Sequence, residues 1–326
     1  MITRTPVVMT GAFGRIAEDF IAYKRDQGYK YYSEEKVLGR FCRFAEEHGV
    51  HNAIITKELA MDWIAPREGE AAKSRMHRIS ILNQFSQYLE LMGHEVYAIP
   101  QQNNWGKSSF TPYIFTHDEI GRLFVAADRI CPRAQARDME KALPVLFRLL
   151  YSCGLRVSEA VNLHCRDVDL EKGVLTVREA KNGQDRLIPL SESMRLLCVD
   201  YCENVIYWLR EDDYFFPAPN RTILSPNTVY QRFRSLLWDA GIHYNGKGNG
   251  PRLHDLRHTF AVHTLQRWIE NGEDLMAMLP VLSVFMGHKS MKATSRYLRL
   301  TAEVYPDVVR QVEDTCAYVI PGGDNG

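Results

Sequence analysis

A polar segment bounded by prolines divides the chain into two stretches of different character. It covers residues 99–112, with Pro100 near its start, Pro112 at its end and mostly Gln, Asn, Gly and Ser between them. This composition is typical of an interdomain linker. At 326 residues the chain is long enough for two hydrophobic cores. We therefore predict a first domain over 11–97, a linker over 98–111, a second domain over 112–302 and a C-terminal tail over 303–326.

The first domain is predicted to contain helices only. Apolar side chains recur there at helical spacing, which is typical of helices that bury one face. Ser33 is placed to cap the second helix and Thr56 to start the third. A fourth helix is expected over about 71–92.

The second domain is predicted to be mostly helical with a small antiparallel sheet. Thr116 and Glu119 have the spacing of a capping box at the start of a helix. Segments 174–178 and 186–190 alternate like strands, and the turn signal Asn182-Gly183 lies between them. Helices are expected to resume after Ser191. The predicted fold class is mainly α with a small antiparallel β-sheet, an α+β domain, next to a separate all-α bundle.

Composition sets only loose limits on function. Forty basic residues balance forty acidic ones, although residues 221–300 carry eleven Lys/Arg against five Asp/Glu. Seven irregularly spaced cysteines indicate reduced thiols, and we interpret Cys198 and Cys202 as packing residues rather than metal ligands. No run approaches the roughly 18 apolar residues of a membrane span, and no secretory signal is evident. We expect a cytoplasmic protein with no membrane contact.

Four segments of the second domain concentrate residues that are suited to chemistry on a phosphodiester. Arg156 is placed where a loop enters a helix, and Lys181 lies beside the predicted hairpin turn. His254 and Arg257 are three apart at a helix start and so share a face. His288 is followed nine residues later by Tyr297.

These residue types match the demands of attack on a phosphate. Two arginines, Arg156 and Arg257, offer fixed forks of donors to the non-bridging oxygens as charge develops on them. A tyrosine has a pKa near 10, so only about one part in a thousand is phenolate at pH 7 and a base is needed. Either His254 or His288 can supply that base or donate to the phosphate.

Taken together and in this order, the four segments resemble the tyrosine recombinase (phage integrase) family. The resemblance covers nearly all of residues 112–302, and the helical N-terminal segment resembles the family's core-binding, DNA-binding domain in layout only. It implies one catalytic set around the scissile phosphate: Arg156, Lys181, His254, Arg257, His288 and the nucleophile Tyr297. In that set His254 is the expected proton acceptor and Lys181 the expected acid for the leaving 5′ oxygen.

The resemblance also implies supporting residues. Glu159 is expected to hold Arg156, and His258 to pack or to orient Arg257. In the fourth helix of the first domain, three basic residues are expected to contact DNA: Lys73, Arg75 and Arg78. The stretch 278–290, with 297–301, looks like recombinases carried by transposons and other integrating elements.

The activity implied is that of a site-specific recombinase that cleaves and rejoins DNA through a 3′-phosphotyrosine and uses no cofactor and no metal. Such an enzyme integrates or excises a mobile element. The expected partner is double-stranded DNA with paired sites, bound by a homodimer at each site and by a tetramer in the synapse. Accessory DNA-bending or excision proteins and a tail exchanged between protomers are part of the same expectation.

Three other functions compete with this interpretation. His254 and His258 have the i, i+4 spacing of a zinc hydrolase helix, but Asp255 stands where that motif has its catalytic glutamate. A DNA-binding regulator with the same fold would not need the complete reactive set. A type IB topoisomerase shares the chemistry but relaxes supercoils instead of exchanging strands.

Overall fold

The computed structural model describes residues 7–99, 111–136, 138–178, 185–244, 246, 250–288 and 290–304. The chain divides into two compact units, Met1–Phe110 and Thr111–Gly326. The linker predicted over 98–111 lies for the most part outside the described residues, as does most of the tail predicted over 303–326. Among the described residues, no helix combines the length and the apolar character that crossing a lipid bilayer requires.

Helices make up the regular structure described in the first unit, as the periodicity of its sequence predicts. They are α1 (Gly14–Asp26), α2 (Tyr32–Glu47), α3 (Lys57–Ile64) and α4 (Ala72–Leu91). Their apolar faces meet in an aromatic core, where the Phe20 and Phe85 ring centroids are 5.4 Å apart and Trp63 packs edge-on against Phe41 at 5.3 Å. Burial of such large rings contributes most of the free energy that holds a small bundle together.

In this unit, local capping fixes the start of one helix and tertiary packing fixes the start of another. Thr56 caps α3, as predicted, by accepting a hydrogen bond from the backbone N–H of Leu59 at 3.2 Å. The predicted cap at Ser33 is wrong, because α2 begins at Tyr32 and its N-cap is Tyr31 in a left-handed conformation, φ 48°. Since the Tyr31 ring is buried edge-on against Phe20 at 5.6 Å, side-chain burial fixes this start rather than a hydroxyl cap.

The second unit is helical around one small sheet, which confirms the predicted fold class. Its helices before the sheet are α5 (His117–Asp128), α6 (Met139–Ser152) and α7 (Val157–Val161). Its strands are β1 (Val168–Asp169), β2 (Val174–Val177) and β3 (Arg186–Pro189). Its later helices are α8 (Glu192–Asn204), α9 (Pro226–Asp239), α10 (Asp255–Glu270), α11 (Leu275–Met286) and α12 (Met291–Val304). The capping box predicted at Thr116 and Glu119 is present at the start of α5.

The strands pair antiparallel in the order β1-β2-β3, with Leu175 opposite Ile188. These two side chains face the main core of the unit, and so does Cys198, which is fully buried on α8 as a packing residue. A separate apolar cluster forms where α10, α11 and α12 meet, and it includes the ring of Tyr297. The turn residues Asn182 and Gly183 lie outside the described residues.

Gly154, which follows α6 and precedes Arg156, is a position where only glycine fits. Its φ is +55°, and a Cβ built there would lie 2.5 Å from Cδ1 of Phe260 on α10. We predict that Gly154→Ala lowers the free energy of unfolding by about 3 kcal/mol, since left-handed strain and a core clash add. Chemical denaturation measures this difference.

Gly173→Ala is the matched control for that substitution. Its φ is +63°, but the nearest atom to the added Cβ is the flexible Arg195 side chain at 3.4 Å. This variant should therefore show only the strain of roughly 1–2 kcal/mol. Equal losses in the two variants would contradict the clash with Phe260.

Candidate active site

Arg156 is held at the start of α7 by a carboxylate three residues further on. The backbone N–H of Arg156 donates to Oε2 of Glu159 at 2.8 Å, and its Nη1 donates to Oε1 of the same side chain at 2.6 Å. Nη2 also approaches the carbonyl oxygen of Gly287 at 3.4 Å. The guanidinium keeps 22% of its side-chain surface exposed, so it remains accessible to an anion. The expected contact between Glu159 and Arg156 is therefore present.

The same carboxylate binds a second arginine, Arg186, which the sequence analysis did not single out. Nη2 and Nη1 of Arg186 lie 2.8 and 3.1 Å from the two oxygens of Glu159, and its Nε donates to the carbonyl of Phe285 at 2.9 Å. The alternation of β3 contained a signal for this residue, because Arg186 and Ile188 both lie on the buried face of the strand. A charged residue in such a position needs a buried partner.

Glu159 is consequently ionised under all ordinary conditions. Burial opposes ionisation, but hydrogen bonds and positive charge from Arg186 and Arg156 outweigh it and lower the pKa of Glu159 to about 2. The permanent negative charge offsets part of the repulsion among the arginines gathered here.

Arg257 is fixed by backbone carbonyl groups rather than by a side chain. It lies in α10, is 2% exposed, and donates to the carbonyl oxygens of Gly154 and Met286. Its Nη1 is 4.0 Å from Glu159. Burial, followed by the charge of Arg156, lowers the pKa of Arg257 to about 10, so the guanidinium is still cationic at neutral pH. The two clamp arginines predicted from the sequence therefore converge on one carboxylate.

His288 follows the left-handed residue Gly287, which ends α11. Its Nδ1 is 2.9 Å from Oγ1 of Thr294, a fully buried hydroxyl in the first turn of α12. This contact fixes the ring and leaves Nε2 for another partner. Burial, then the charges of Arg257 and Arg156, lowers the pKa of His288 to about 4. The sequence analysis missed Thr294, since a threonine inside a helix carries no signal of its own.

Tyr297 lies in α12 and is only 4% exposed. The His288 ring is nearly parallel to it, at 12° with 6.0 Å between ring centroids. Burial raises the pKa of the Tyr297 hydroxyl above 10, although Arg257, Arg296 and Arg156 act in the opposite direction. The phenol is therefore protonated at rest and needs an acceptor for its proton before it can attack a phosphate.

The hydroxyl of Tyr297 contacts His258, not His254. Nδ1 of His258 is 2.8 Å from the phenolic oxygen. His258 was expected to pack or to orient Arg257; its Nδ1 instead pairs with Tyr297, while Arg257 is held by the two carbonyl groups. His254 is the exposed histidine of the site, with its ring edge-on to His258 at 4.8 Å between centroids.

The zinc alternative finds no third ligand in this region. The described residues contain no group of three or more His, Cys, Asp or Glu side chains placed to hold a metal ion. One nitrogen of His258 is already paired with Tyr297.

The remaining predicted residues are Lys181 and the basic residues of the first unit. Lys181 lies outside the described residues, but the strands that flank it are anchored by Arg186 and by Arg178, whose Nε donates to Asp167 at 2.5 Å. In the first unit, Lys73 is exposed, whereas Arg78 is 2% exposed and binds Glu70 at 2.6 Å. The contacts of Arg78 are thus those of a structural residue.

Comparison with known proteins gives this geometry a family. Residues 114–303 match the phage integrase family. The integrase/recombinase y4rB of Sinorhizobium fredii is 30% identical over 311 residues, which make up 92% of this chain and 97% of that protein. Tyrosine recombinase XerA of Pyrococcus furiosus is 32% identical over 205 residues, 61% of this chain and 62% of that protein.

Solved structures show the same fold at lower identity. The integrase of transposon Tn1549, in complex with transposon right end DNA, gives a TM-score of 0.63 at 16% identity and covers 86% of this chain and 94% of its own. A lambda integrase dimer bound to a core site gives 0.58 at 20% identity, with the same two coverages.

The chain belongs to the phage integrase family. Its enzymatic class is that of the tyrosine-type site-specific DNA recombinases.

The lowered pKa values of the histidines predict how the stability of the protein depends on pH. Burial is the largest cause that lowers the pKa of His258 to about 3 and the pKa values of His254, His263 and His288 to about 4. Because their pKa is near 6.5 in an unfolded chain, unfolding takes up protons between about pH 6.5 and 4. The free energy of unfolding should therefore fall as the pH is lowered through that window, with an uptake of about three to four protons.

Denaturant unfolding at a series of pH values, without DNA, measures this slope. His263→Gln removes one of these four histidines, the one paired with Tyr151 rather than lying beside Tyr297, and should reduce the uptake by about one proton. A stability that does not change between pH 6.5 and 4.5 would contradict the depressed pKa values.

Proposed function

We propose that this recombinase cleaves and rejoins DNA by attack of the Tyr297 hydroxyl on the scissile phosphate, forming a 3′-phosphotyrosine. The observation that carries the proposal is the convergence of Arg156, Arg257, His258 and His288 around that hydroxyl. The phosphotyrosine conserves the free energy of the phosphodiester. A 5′ hydroxyl from another strand can therefore reverse the attack without ATP.

The two arginines supply the positive charge that the reaction requires. Attack adds negative charge to the non-bridging oxygens, and a guanidinium pair held by carbonyl groups and by Glu159 is oriented before DNA arrives. A clamp that needs no reorganisation stabilises the transition state more than mobile side chains do. We therefore assign transition-state stabilisation to Arg156 and Arg257 and include no metal ion in the mechanism.

The histidines handle the proton of the nucleophile. His254 and His288 have pKa values of about 4, lowered by desolvation and by Arg257 and Arg156, and are neutral at pH 7. A neutral imidazole can accept the phenolic proton or donate an N–H to the phosphate. We assign the acceptor role to His254 and phosphate contact to His288.

We further propose that Lys181 protonates the leaving 5′ oxygen. An alkoxide is a poor leaving group and needs a proton, which a lysine ammonium can supply. Glu159 is proposed to support the clamp by pairing with Arg156 and Arg186.

The DNA partner is proposed to be a duplex with paired sites, each bound by a homodimer, with a tetramer in the synapse. The similar structure of lambda integrase is a dimer bound to a core site, which supports the proposed homodimer. The similar structure of the Tn1549 integrase is in complex with transposon right end DNA, which supports integration or excision of a mobile element. We include accessory DNA-bending or excision proteins in the proposal, as well as the bacterial cytoplasm as the place of action.

Within the subunit, we propose that the first and second units both contact DNA. Lys73 and Arg75 are the proposed contacts of the first unit, and Arg78 is omitted because its guanidinium is buried with Glu70. The tail 303–326 is proposed to dock on a neighbouring protomer. Only its first two residues lie within the described helix α12, where Val304 is 40% exposed.

Tyr297→Phe tests the nucleophile. The variant should bind DNA with an affinity within about threefold of the wild type, because no charge that faces DNA is lost. It should form no covalent adduct and no recombinant product. The substrate is a nicked duplex carrying the site recovered by selection from random-sequence DNA, and the adduct is read on a denaturing gel.

A persistent adduct in that variant would falsify the assignment of Tyr297. Recombination between two such sites, measured beside relaxation of a supercoiled plasmid, separates strand exchange from topoisomerase activity. Relaxation without recombination would favour the topoisomerase alternative.

A sulfur substitution tests Lys181. An alkoxide leaves with a pKa near about 15.7, whereas a thiolate leaves with one near about 8.5, so sulfur at the bridging 5′ position removes the need for an acid. Cleavage by Lys181→Ala should therefore return to nearly the wild-type rate on that DNA. Arg156→Ala is the control that sulfur should not rescue, because it acts on the non-bridging oxygens. If sulfur leaves Lys181→Ala as defective as before, the acid is a different group.

A further inference from the structure

We propose that His258 is a positioning residue for the nucleophile, which it fixes by accepting the hydrogen bond of the Tyr297 hydroxyl at Nδ1. The inference rests on the proposed role of Tyr297. It gives His258 a function in catalysis that differs from the proton-acceptor role proposed for His254 and from the phosphate contact proposed for His288.

The contact is specific in distance and in environment. The Nδ1–Oη distance is 2.8 Å, and the two rings are tilted by 46° with centroids 5.6 Å apart. His258 lies on α10 and Tyr297 on α12, 39 residues further along the chain. The tyrosine ring is 4% exposed and packs in the apolar cluster between α10, α11 and α12. A polar tip in such a setting needs a partner, and His258 provides it.

The direction of the hydrogen bond follows from the charge on the ring. Burial, then the neighbouring His254, Arg296, Arg252 and Arg257, lowers the pKa of His258 to about 3, so the imidazole is neutral at pH 7. A neutral ring has one N–H and one acceptor nitrogen. We assign the O–H of the protonated Tyr297 phenol as the donor to Nδ1, which places the ring proton on Nε2. The lone pairs of the phenolic oxygen are thereby turned away from His258.

The pKa directions show where the proton of this pair lies at rest. Burial raises the pKa of the Tyr297 phenol, whereas it lowers the pKa of His258 to about 3. The proton therefore stays on the phenol, and the hydrogen bond to His258 holds the hydroxyl without deprotonating it.

His258 also sets the position of the nucleophile relative to the clamp. It is the residue next to Arg257 on α10, and Arg257 is fixed by the carbonyl groups of Gly154 and Met286. A hydrogen bond from the adjacent residue to Tyr297 ties α12 to the helix that carries the clamp. Placement of this kind affects the rate of attack more than the affinity for DNA.

The chain contains a matched control for this contact on the same helix. Nδ1 of His263 is 2.8 Å from the hydroxyl of Tyr151, and His263 is 6% exposed. Burial, then His117, lowers its pKa to about 4. His263 thus makes the same type of histidine–tyrosine hydrogen bond on α10 with a tyrosine that takes no part in the proposed chemistry.

The experiment compares His258→Leu, His258→Asn and His263→Leu in single-turnover adduct formation on the nicked duplex. Leucine removes the acceptor, whereas the Oδ1 of asparagine stands close to where Nδ1 of histidine stands. We expect His258→Leu to slow adduct formation about tenfold, the effect of one lost hydrogen bond, at unchanged DNA affinity. His258→Asn should restore most of the rate, and His263→Leu should keep the wild-type rate while its thermal stability falls as it does in His258→Leu.

Several outcomes would overturn the inference. If His258→Asn is as slow as His258→Leu, the imidazole acts as a base or a shape that asparagine cannot replace. If His258→Leu reacts at the wild-type rate or faster, the hydrogen bond does not position the nucleophile for attack. If His263→Leu slows the reaction equally, the effect is general loss of packing on α10.

Failure of the proposed function is recognised separately. It would appear as an adduct that persists in Tyr297→Phe. Loss of the adduct in Tyr297→Phe together with a normal rate in His258→Leu rejects the positioning role alone.

Discussion

The carboxylate of Glu159 is the group on which the arrangement of the site depends. It pairs with Arg156 at 2.6 Å and with Arg186 at 2.8 Å, and it lies 4.0 Å from Arg257. Three guanidiniums so close together would repel one another strongly in a partly buried setting. One ionised carboxylate among them reduces that repulsion, and because it does not cancel all of it, the site keeps an excess of positive charge for an anion.

This carboxylate also joins parts of the unit that are distant in sequence. Glu159 belongs to α7, Arg186 begins β3, and the Nε of Arg186 donates to Phe285 in α11. Gly287 lies against the same arginine. Its φ is +61°, and a Cβ there would lie 3.0 Å from Nη1 of Arg186, so both the backbone conformation and the space favour glycine. The loop before α7, the sheet and the end of α11 are thus held by one ion-pair network. His288 takes its place from that network, one residue after Gly287.

The sequence was sufficient to predict the types of secondary structure, because periodicity and spacing leave local signals. Helical periodicity predicted α4 to within one residue at each end, and the three-residue spacing of His254 and Arg257 placed them at the start of one helix. Contacts between distant residues left no such signal. The partner of His258 is 39 residues away, that of Arg186 is 27 residues away, and both depend on how helices and strands pack.

The charge of a side chain was a poor predictor of DNA contact where its burial was not considered. Arg78 looked like part of a basic DNA-facing turn beside Lys73, yet its guanidinium binds Glu70 and the carbonyl of Ala65 in the interior of the first unit. Its position follows the apolar stripe of α4, next to Ile79, so helical phase predicted its burial better than its charge predicted its exposure. A basic residue on the apolar face of an amphipathic helix is more informative about an internal carboxylate than about an external phosphate.

The electrostatics of the site make its proton chemistry depend on the substrate. In the absence of DNA, desolvation and the arginine charges keep His254, His258 and His288 neutral and the Tyr297 phenol protonated. A bound phosphodiester brings a negative charge beside Arg156 and Arg257, which offsets the charges that lower the histidine pKa values. In the proposed mechanism, a proton leaving Tyr297 would then be held more easily by His254. The two arginines proposed to bind the scissile phosphate would thus also control when the proposed nucleophile loses its proton, and without DNA the Tyr297 phenol stays protonated and hydrogen-bonded to His258.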